Sequence, residues 1–329
     1  MNKKMLRLGY QFFAESNTNV TTDTGLSVEN KTFYDMALID VAQAHLVHDQ
    51  FGQKRPIPKN GGKEIEFRQF ASLPKATTAL TEGVTPSGKK LSATAIKSTV
   101  SQYGDYVELS DVLDLTSIDN VVVEATKVIG RQAGLTLDTI TRNVLHSGTN
   151  VFYCSKSDGS AVTSRASLDA TCKLTVRMVR RVAAFLKSNN APKFGDSYVA
   201  IIHPFAAFDL MDDDEWKYPH QYQDTTELYE GEIGKIGGVR FVESSEAMIY
   251  SGGVFGTLFI AEGAYGVTEI TGGGLRTIIK QLGSAGSSDP LDQRSTVGWK
   301  ASKTAEILVQ PYLVRVESKG EFSGDAEAN

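Results

Sequence analysis

Cysteine is nearly absent from this 329-residue chain, which carries only Cys154 and Cys172. Two thiols so far apart make neither a zinc knuckle nor a CxxC redox pair, and are expected as unpaired thiols in a reducing compartment. Long hydrophobic runs are missing too. The longest strongly apolar stretch, Val254 to Ala261, is far short of a membrane span. Near the N-terminus Arg7 breaks the apolar residues before a signal-peptide core can form. A protein made in the cytosol, with no membrane partner, is expected. Nor is there an excess of base: 34 Lys and Arg against 39 Asp and Glu give a net charge of −5. That balance argues against holding nucleic acid by bulk charge and leaves only local basic faces. The 41% hydrophobic and 22% charged content is that of an ordinary soluble chain, long enough to bury a large core and divide into lobes.

Catalytic signatures are equally scarce. No Ser-His-Asp order, nucleophile elbow, HExxH or paired-cysteine array occurs. Gly83-Val-Thr-Pro-Ser-Gly88-Lys89 matches half of a phosphate-binding loop, but Lys90 stands where a magnesium-binding hydroxyl belongs. Pro86 removes an amide from the would-be cradle, and no helix follows to hold phosphate. A nucleotide-binding enzyme has no other support. His45 and His48 stand at i and i+3 without a third ligand at a persuasive spacing. The run Asp212 to Glu215 lacks the alternation of a calcium loop and reads as an exposed turn. Gly231 to Gly238 leads into a strand, the wrong order for a dinucleotide fingerprint. No catalytic residue, cofactor or metal is expected.

What is present is architecture. From Ser117 to Ser147, Ile118, Val122, Ala125, Ile129, Ala133, Leu137, Ile140 and Val144 recur every three or four residues. This is the period of a helix with one buried stripe, roughly 45 Å long. Thr116 and Asp119 offer a capping-box-like start, and Gly148 a left-handed stop. Gly130 and Gly134 lie inside it, each costing about 1 kcal/mol relative to alanine. We call this helix the spine. Before it, residues 1–28 are polar and arm-like, and Val28 to Phe51 has a helical period. Lys63 to Phe70 and Ile96 to Leu109 alternate as strands, with Gly104 a bulge. The twenty or so residues between them have no period. A hairpin this isolated is marginal in water, so it is expected to find support on another subunit.

After the spine, Leu174, Met178, Val182 and Phe185 or Leu186 mark a second amphipathic helix whose other side carries Arg177, Arg180, Arg181 and Lys187. Ion-paired solvation is one reading of that face; contact with nucleic acid or an acidic partner is the other. Tyr198 to His203, Val239 to Val242 and Leu275 to Leu282 read as strands, and Phe205 to Met211 as a helix begun by Pro204. Residues 172–282 thus form an α/β lobe. Gly283 to Ser288 leads back towards the spine, where Ala305 to Ser318 is expected as one late strand packing on it, with Pro311 at a bulge or edge.

Long segments of the chain also resemble the major capsid proteins of tailed phages. They include Leu26-Ser-Val-Glu-Asn-Lys-Thr-Phe-Tyr-Asp35, Phe51-Gly-Gln-Lys-Arg-Pro-Ile-Pro-Lys-Asn-Gly-Gly62 and Gln102-Tyr-Gly-Asp-Tyr-Val-Glu-Leu-Ser-Asp111. Gly134 to Asp138, Gly231 to Phe241, Gln281 to Gly286 and Gln293 to Trp299 continue the likeness to about Ser318. The resemblance implies the α+β HK97-type fold. It assigns residues 1–55 to an N-terminal arm, 56–102 to an extended E-loop and 103–170 to a P-domain containing the spine. Residues 171–282 become the A-domain, 283–318 return to the P-domain, and 319–329 are a polar tail. The function implied is a coat subunit that assembles into pentamers and hexamers of an icosahedral shell around double-stranded DNA. A protein nanocompartment or another phage structural part is the alternative.

Further expectations follow from the resemblance. The partners implied are other copies of the chain, a separate scaffolding protein, a portal, possible decoration proteins, and DNA contacted without sequence specificity. The implied location is the virion, assembled in the host bacterial cytoplasm. Lys59, Lys75, Lys89 and Lys90 are candidates for subunit contacts, as are Gly130 and Gly134, whose bare backbone would serve close packing by other elements. On that expectation Gly134→Leu would block assembly more than folding.

Overall fold

The apolar stripe of the spine decides the layout, because a helix so long needs long neighbours. A computed structural model describes residues 46–71, 73–116, 121–216, 234–284 and 289–329. Along it come β1 (Gln53–Lys54), β2 (Glu64–Phe70), β3 (Ala93–Thr99) and β4 (Ser101–Ser110). The short helix α1 (Asp111–Thr116) and the spine α2 (Val121–His146) follow. Next are β5 (Val151–Tyr153), α3 (Val176–Ser188), β6 (Tyr198–Ile202) and α4 (Pro204–Met211). Then come β7 (Lys235–Ile236), β8 (Val239–Glu243), β9 (Ile249–Tyr250), β10 (Val254–Ile260) and β11 (Tyr265–Glu269). Last are β12 (Arg276–Lys280), β13 (Arg294–Ile307) and β14 (Leu313–Ser318).

These strands make two sheets and a separate hairpin. In the first sheet β1, β11, β13 and β12 follow in order, and β4 pairs with β13. The second has the order β5, β14, β10, β6, β8, β7, with β9 beside β10. Only β2 and β3 form the hairpin. The middle of the spine buries Ile129, Ala133 and Leu137 against Val297, Trp299 and Ala301 of β13 and Leu109 of β4. Near its end, Leu145 joins a cluster with Ile201 and Leu258 of the second sheet and Tyr265 and Ile307 of the first. The spine therefore covers one sheet and fastens it to the other. A third cluster packs Val179, Val182 and Leu186 of α3 on the second sheet, where all seven residues of β10 are buried. Alternation fails in β10 because both of its faces are covered.

Several sequence expectations need correction. The helix runs Val121–His146, and residues 117–120 lie outside the described set. Thr116 ends α1, its hydroxyl donating to the Val112 carbonyl at 2.6 Å, so it does not begin the spine. Gly148 keeps a negative φ. A Cβ there would stand 3.3 Å from both the Leu145 carbonyl and a Leu313 methyl, so close approach is what favours glycine. Residues 305–318 are two strands. Pro311 lies in a 3₁₀ turn, Gln310–Tyr312, and the chain leaves the first sheet at β13 and enters the second at β14. The middle of the spine packs on the middle of β13, and only its C-terminal end meets the 305–318 stretch, through Leu145 with Ile307 and Leu313.

Three smaller differences share one cause, contacts distant in sequence. Gly104 is no bulge: the register from Ser101↔Lys303 to Ser110↔Arg294 is unbroken. A Cβ on Gly104 would come within 2.6 Å of the Trp299 carbonyl, which the bare backbone avoids. Of the helix expected over 28–51, residues 28–45 lie outside the described set and 48–51 form a turn. The polar tail is docked. Phe322 stacks on Phe205 with centroids 4.8 Å apart, and the Asn329 amide donates to the Ile249 carbonyl at 3.2 Å.

Trp299 is buried between the spine and the first sheet, so Trp299→Ala should cost about 3–5 kcal/mol. Thermal or urea unfolding of the variant measures this. A melting point within a degree of the parent protein would contradict the role given to this contact.

Candidate assembly interface

The root of the hairpin is anchored by few side chains. Phe67 is buried against β11, where a Cβ on Gly266 would lie 2.9 Å from its ring. Glycine at 266 makes room for that ring. Arg55 sits over the other part of the same contact, its guanidinium 5.8 Å from the Phe67 centroid. Ser98 and Thr304 share a 2.8 Å hydroxyl hydrogen bond, and the Val100 amide donates to the Lys63 carbonyl at 2.8 Å.

Beyond the root nothing among the described residues supports the hairpin. β2 and β3 pair from Glu64↔Thr99 to Phe70↔Ala93, and the Ala71 amide adds a bond to the Ser92 carbonyl. The described residues from 73 to 91 are all exposed and form no strand or helix. Phe70, Leu80 and Leu91 are 65%, 77% and 70% exposed. Water offers no reason for large apolar side chains to be displayed on an arm; a protein partner does. Lys75, Lys89 and Lys90 lie on this exposed segment, and Lys59 is exposed in the turn before β2. Gly83 and Gly88 have open space around them, and the segment runs into β3, not a helix. It therefore lacks the architecture of a phosphate-binding loop.

Gly130 and Gly134 are placed differently from the lysines. Both are buried inside the chain, on the stripe that includes Ala133 and Leu137. That burial places the two bare backbones in the packed interior of the subunit. The basic face of α3 is exposed at Arg177, Arg180, Arg181 and Lys187. Arg180 pairs with Glu215 at 3.0 Å, and the Arg181 guanidinium lies 5.1 Å from the Phe152 ring centroid. The acidic run is no metal site: Asp213 accepts from the Val176 amide at 2.8 Å and so caps the N-terminus of α3. Among the described residues no group of three or more His, Cys, Asp or Glu side chains could hold a metal, and no helix is long and apolar enough to cross a membrane. His45 lies outside the described residues.

Sequence reasoning missed a buried polar junction at the end of the spine. The His48 amide donates to Asp138 Oδ1 at 2.7 Å, and its Nδ1 lies 2.6 Å from Oδ2. Thr141 donates to Asp49 at 2.6 Å, and Lys303 pairs with the same carboxylate while donating to the Leu137 carbonyl at 2.8 Å. Further along, Arg165 grips Glu317 with two bonds of 2.7 and 2.6 Å, and Arg315 reaches the His146 carbonyl. His146 Nδ1 lies 2.9 Å from the Tyr250 hydroxyl. Burial lowers the His146 pKa well below the usual histidine value, and nearby His48, Arg315, Arg142 and Arg165 push the same way. Burial likewise lowers that of Lys303 despite Asp49. The signals for this junction were Asp138 on an apolar stripe and Lys303 in a buried strand, neither with a local partner. Both cysteines are free and buried, and burial pushes the Cys154 thiol upward, which makes it unreactive.

Neither a family model nor a curated protein matches this sequence. Solved structures do match. The capsid of Cyanophage P-SCSP1u superposes with a TM-score of 0.66 at 15% identity, over 84% of this chain and 89% of that one. The capsid of Ralstonia phage GP4 gives 0.63 at 14%, over 86% and 90%. That of Cyanophage Pam1 gives 0.61 at 15%, over 79% and 85%. At such identities the likeness is one of fold. The chain has the α+β fold of HK97-type phage capsid structures.

Two outcomes are expected from this geometry. The folded junction holds His146 neutral, whereas the unfolded chain binds a proton near the ordinary histidine pKa of about 6.5. Its contribution is therefore complete above that pH and is lost as pH falls below it, by at most about 1.4 kcal/mol per pH unit. Melting points from pH 8 to 5 should fall more steeply for the parent than for His146→Gln; identical slopes would remove the assignment. Gly134→Leu should lower the melting point of the subunit itself by overpacking, at about 1–3 kcal/mol. Normal subunit stability with failed assembly would instead restore an external role.

Proposed function

We propose that this chain is the major coat subunit of an icosahedral phage shell and has no catalytic chemistry. The observation that carries the reading is the β2–β3 hairpin: an arm with apolar side chains at its tip and no support among the described residues of its own chain, on a fold shared with phage capsids. Copies of the chain complete one another, each arm finding its cover on a neighbour. In this reading residues 1–55 are the N-terminal arm and 56–102 the E-loop, while 103–170 with the spine and the returning 283–318 form the P-domain. Residues 171–282 form the A-domain around the five-fold and six-fold axes. Lys59, Lys75, Lys89 and Lys90 then face neighbouring subunits.

The packaged content is double-stranded DNA, held without sequence specificity. With a net charge of −5 the subunit does not attract it in bulk, so contact falls to local basic faces such as Arg177, Arg181 and Lys187. A scaffolding protein and a portal act during assembly in the host cytoplasm, decoration proteins can bind the finished shell, and the mature location is the virion.

Electron microscopy of the purified protein, alone and with a co-expressed scaffold, tests this. Closed shells are expected. A strictly monomeric species under all conditions would sink the reading. Shells from infected or induced cells should contain DNA, and packaged protein would favour a nanocompartment. Deleting residues 73–91 should abolish shells while leaving the melting point of the subunit nearly unchanged, because those residues bury nothing within it.

A further inference from the structure

Among the described residues the first sheet has an open edge strand on either side of β13. β4 is ten residues long, and among the described residues it pairs with β13 alone. Eight of its ten residues are exposed. A long edge of this kind is normally blunted by Lys, Pro or a bulge. Ser101–Ser110 contains no Lys, Arg or Pro, and its register is unbroken. On the other side of β13 lies β12, which likewise pairs with β13 alone. Its outer edge is also open among the described residues.

The two edges differ in charge. Asp105 and Glu108 are the charged residues of β4, and Arg276 and Lys280 those of β12. Joining two β4 edges would oppose carboxylates, and joining two β12 edges would oppose cations. Joining β4 of one copy to β12 of the next opposes unlike charges. From this we propose that copies of the chain join head to tail through β4 and β12, extending the first sheet from subunit to subunit. The inference rests on the reading of the chain as a shell subunit and names the strand pair that would link neighbours. Such a heterologous contact repeats, and closes into a ring when its rotation allows.

The geometry also selects a register. β4 and β12 are both antiparallel to β13, so they run in the same direction. A neighbour that extends the sheet from β4 to β12 with the same face outward therefore presents β12 parallel to β4. Tyr106 and Ile278 flank Gly298 on one face of the sheet, 62% and 43% exposed, and line a groove of about 760 Å³. Setting Tyr106 beside Ile278 of the second copy continues that apolar row. It also brings Glu108 beside Lys280 of the second copy, because both lie two residues further on and on the same face. Main-chain hydrogen bonds supply attraction along the edge, and this aromatic–aliphatic pair and ion pair fix its register.

Cysteine trapping decides the matter. Within one chain Tyr106 and Ile278 are two strands apart, roughly 9–10 Å, beyond the reach of a disulfide. In the double variant Tyr106→Cys with Ile278→Cys, mild oxidation of assembled protein should give a ladder of covalent oligomers beyond dimer, since the native thiols are buried. Each single variant should give none. A dimer from Tyr106→Cys alone means like edges meet, and overturns the proposal. Capture of Tyr106→Cys by Leu80→Cys means the groove receives the hairpin tip, and overturns it too. No ladder from intact particles has the same consequence. In parallel, Glu108→Lys and Lys280→Glu should each reduce particle yield about tenfold or more, and together restore it to within about threefold. Shells that form normally in both single variants overturn the pairing alone. Protein that stays monomeric in the parent sequence overturns the shell reading and the pairing together.

Discussion

Buried charge at the end of the spine is the constraint on which the arrangement of the two sheets depends. Asp138 and His48 are both inaccessible to solvent, and Lys303 and Asp49 nearly so. Removing one member of such a pair leaves an uncompensated charge in a medium that solvates it poorly. The segment at 48–49, the spine and β13 are therefore held in one relative position, since a slip would break the His48–Asp138 and Lys303–Asp49 contacts together. Apolar packing at Leu145 would tolerate a shifted register more readily; a bidentate contact such as Arg165–Glu317 would not. The polar junction specifies and the hydrophobic clusters stabilise.

A rigid junction in the interior makes sense of the extended parts outside it. The hairpin root is pinned by Phe67 beneath β11 and by the Ser98–Thr304 bond, both on strands of the sheet that the spine covers. An arm can place its tip on a neighbour only if its base does not swing, because misplacement at the root grows along its length. The edge strands β4 and β12 belong to the same sheet. Hairpin and edges consequently share one frame, and the spine sets that frame.

Much of this was legible in the sequence wherever a signal was local. The spine, α3, β6 and the exposed hairpin each announce themselves by period or by its absence, and Pro204 begins α4 as its position demands. What could not be read depends on residues far apart in the chain. Residues 305–318 alternate convincingly, yet the turn at Pro311 sends the two halves into different sheets, a choice made by Val316 pairing with Thr257 and Ala305 with Val267. Gly104 looks like a bulge until the Trp299 carbonyl is set beside it. That Gly130 and Gly134 lie on the buried stripe follows from packing the whole helix, which no local signal around either glycine announces. The lysines proposed for subunit contact were found by exposure on the arm, a property that a hairpin without period already implies.

In the proposed shell subunit the contact surfaces would be kept apart from the packed interior. They would also be separate from one another: a hairpin tip in one place, strand edges of opposite charge in others. None presents a single large apolar face, and the charges on like edges oppose pairing in the wrong sense. If copies join as proposed, each contact would be weak between two free subunits and strong in a closed ring, where every copy is held from both sides and local concentration replaces intrinsic affinity. Assembly is favoured by geometry that many copies satisfy at once. That places the demand for precision on the frame carrying the contacts, and so on the buried charges at the end of the spine.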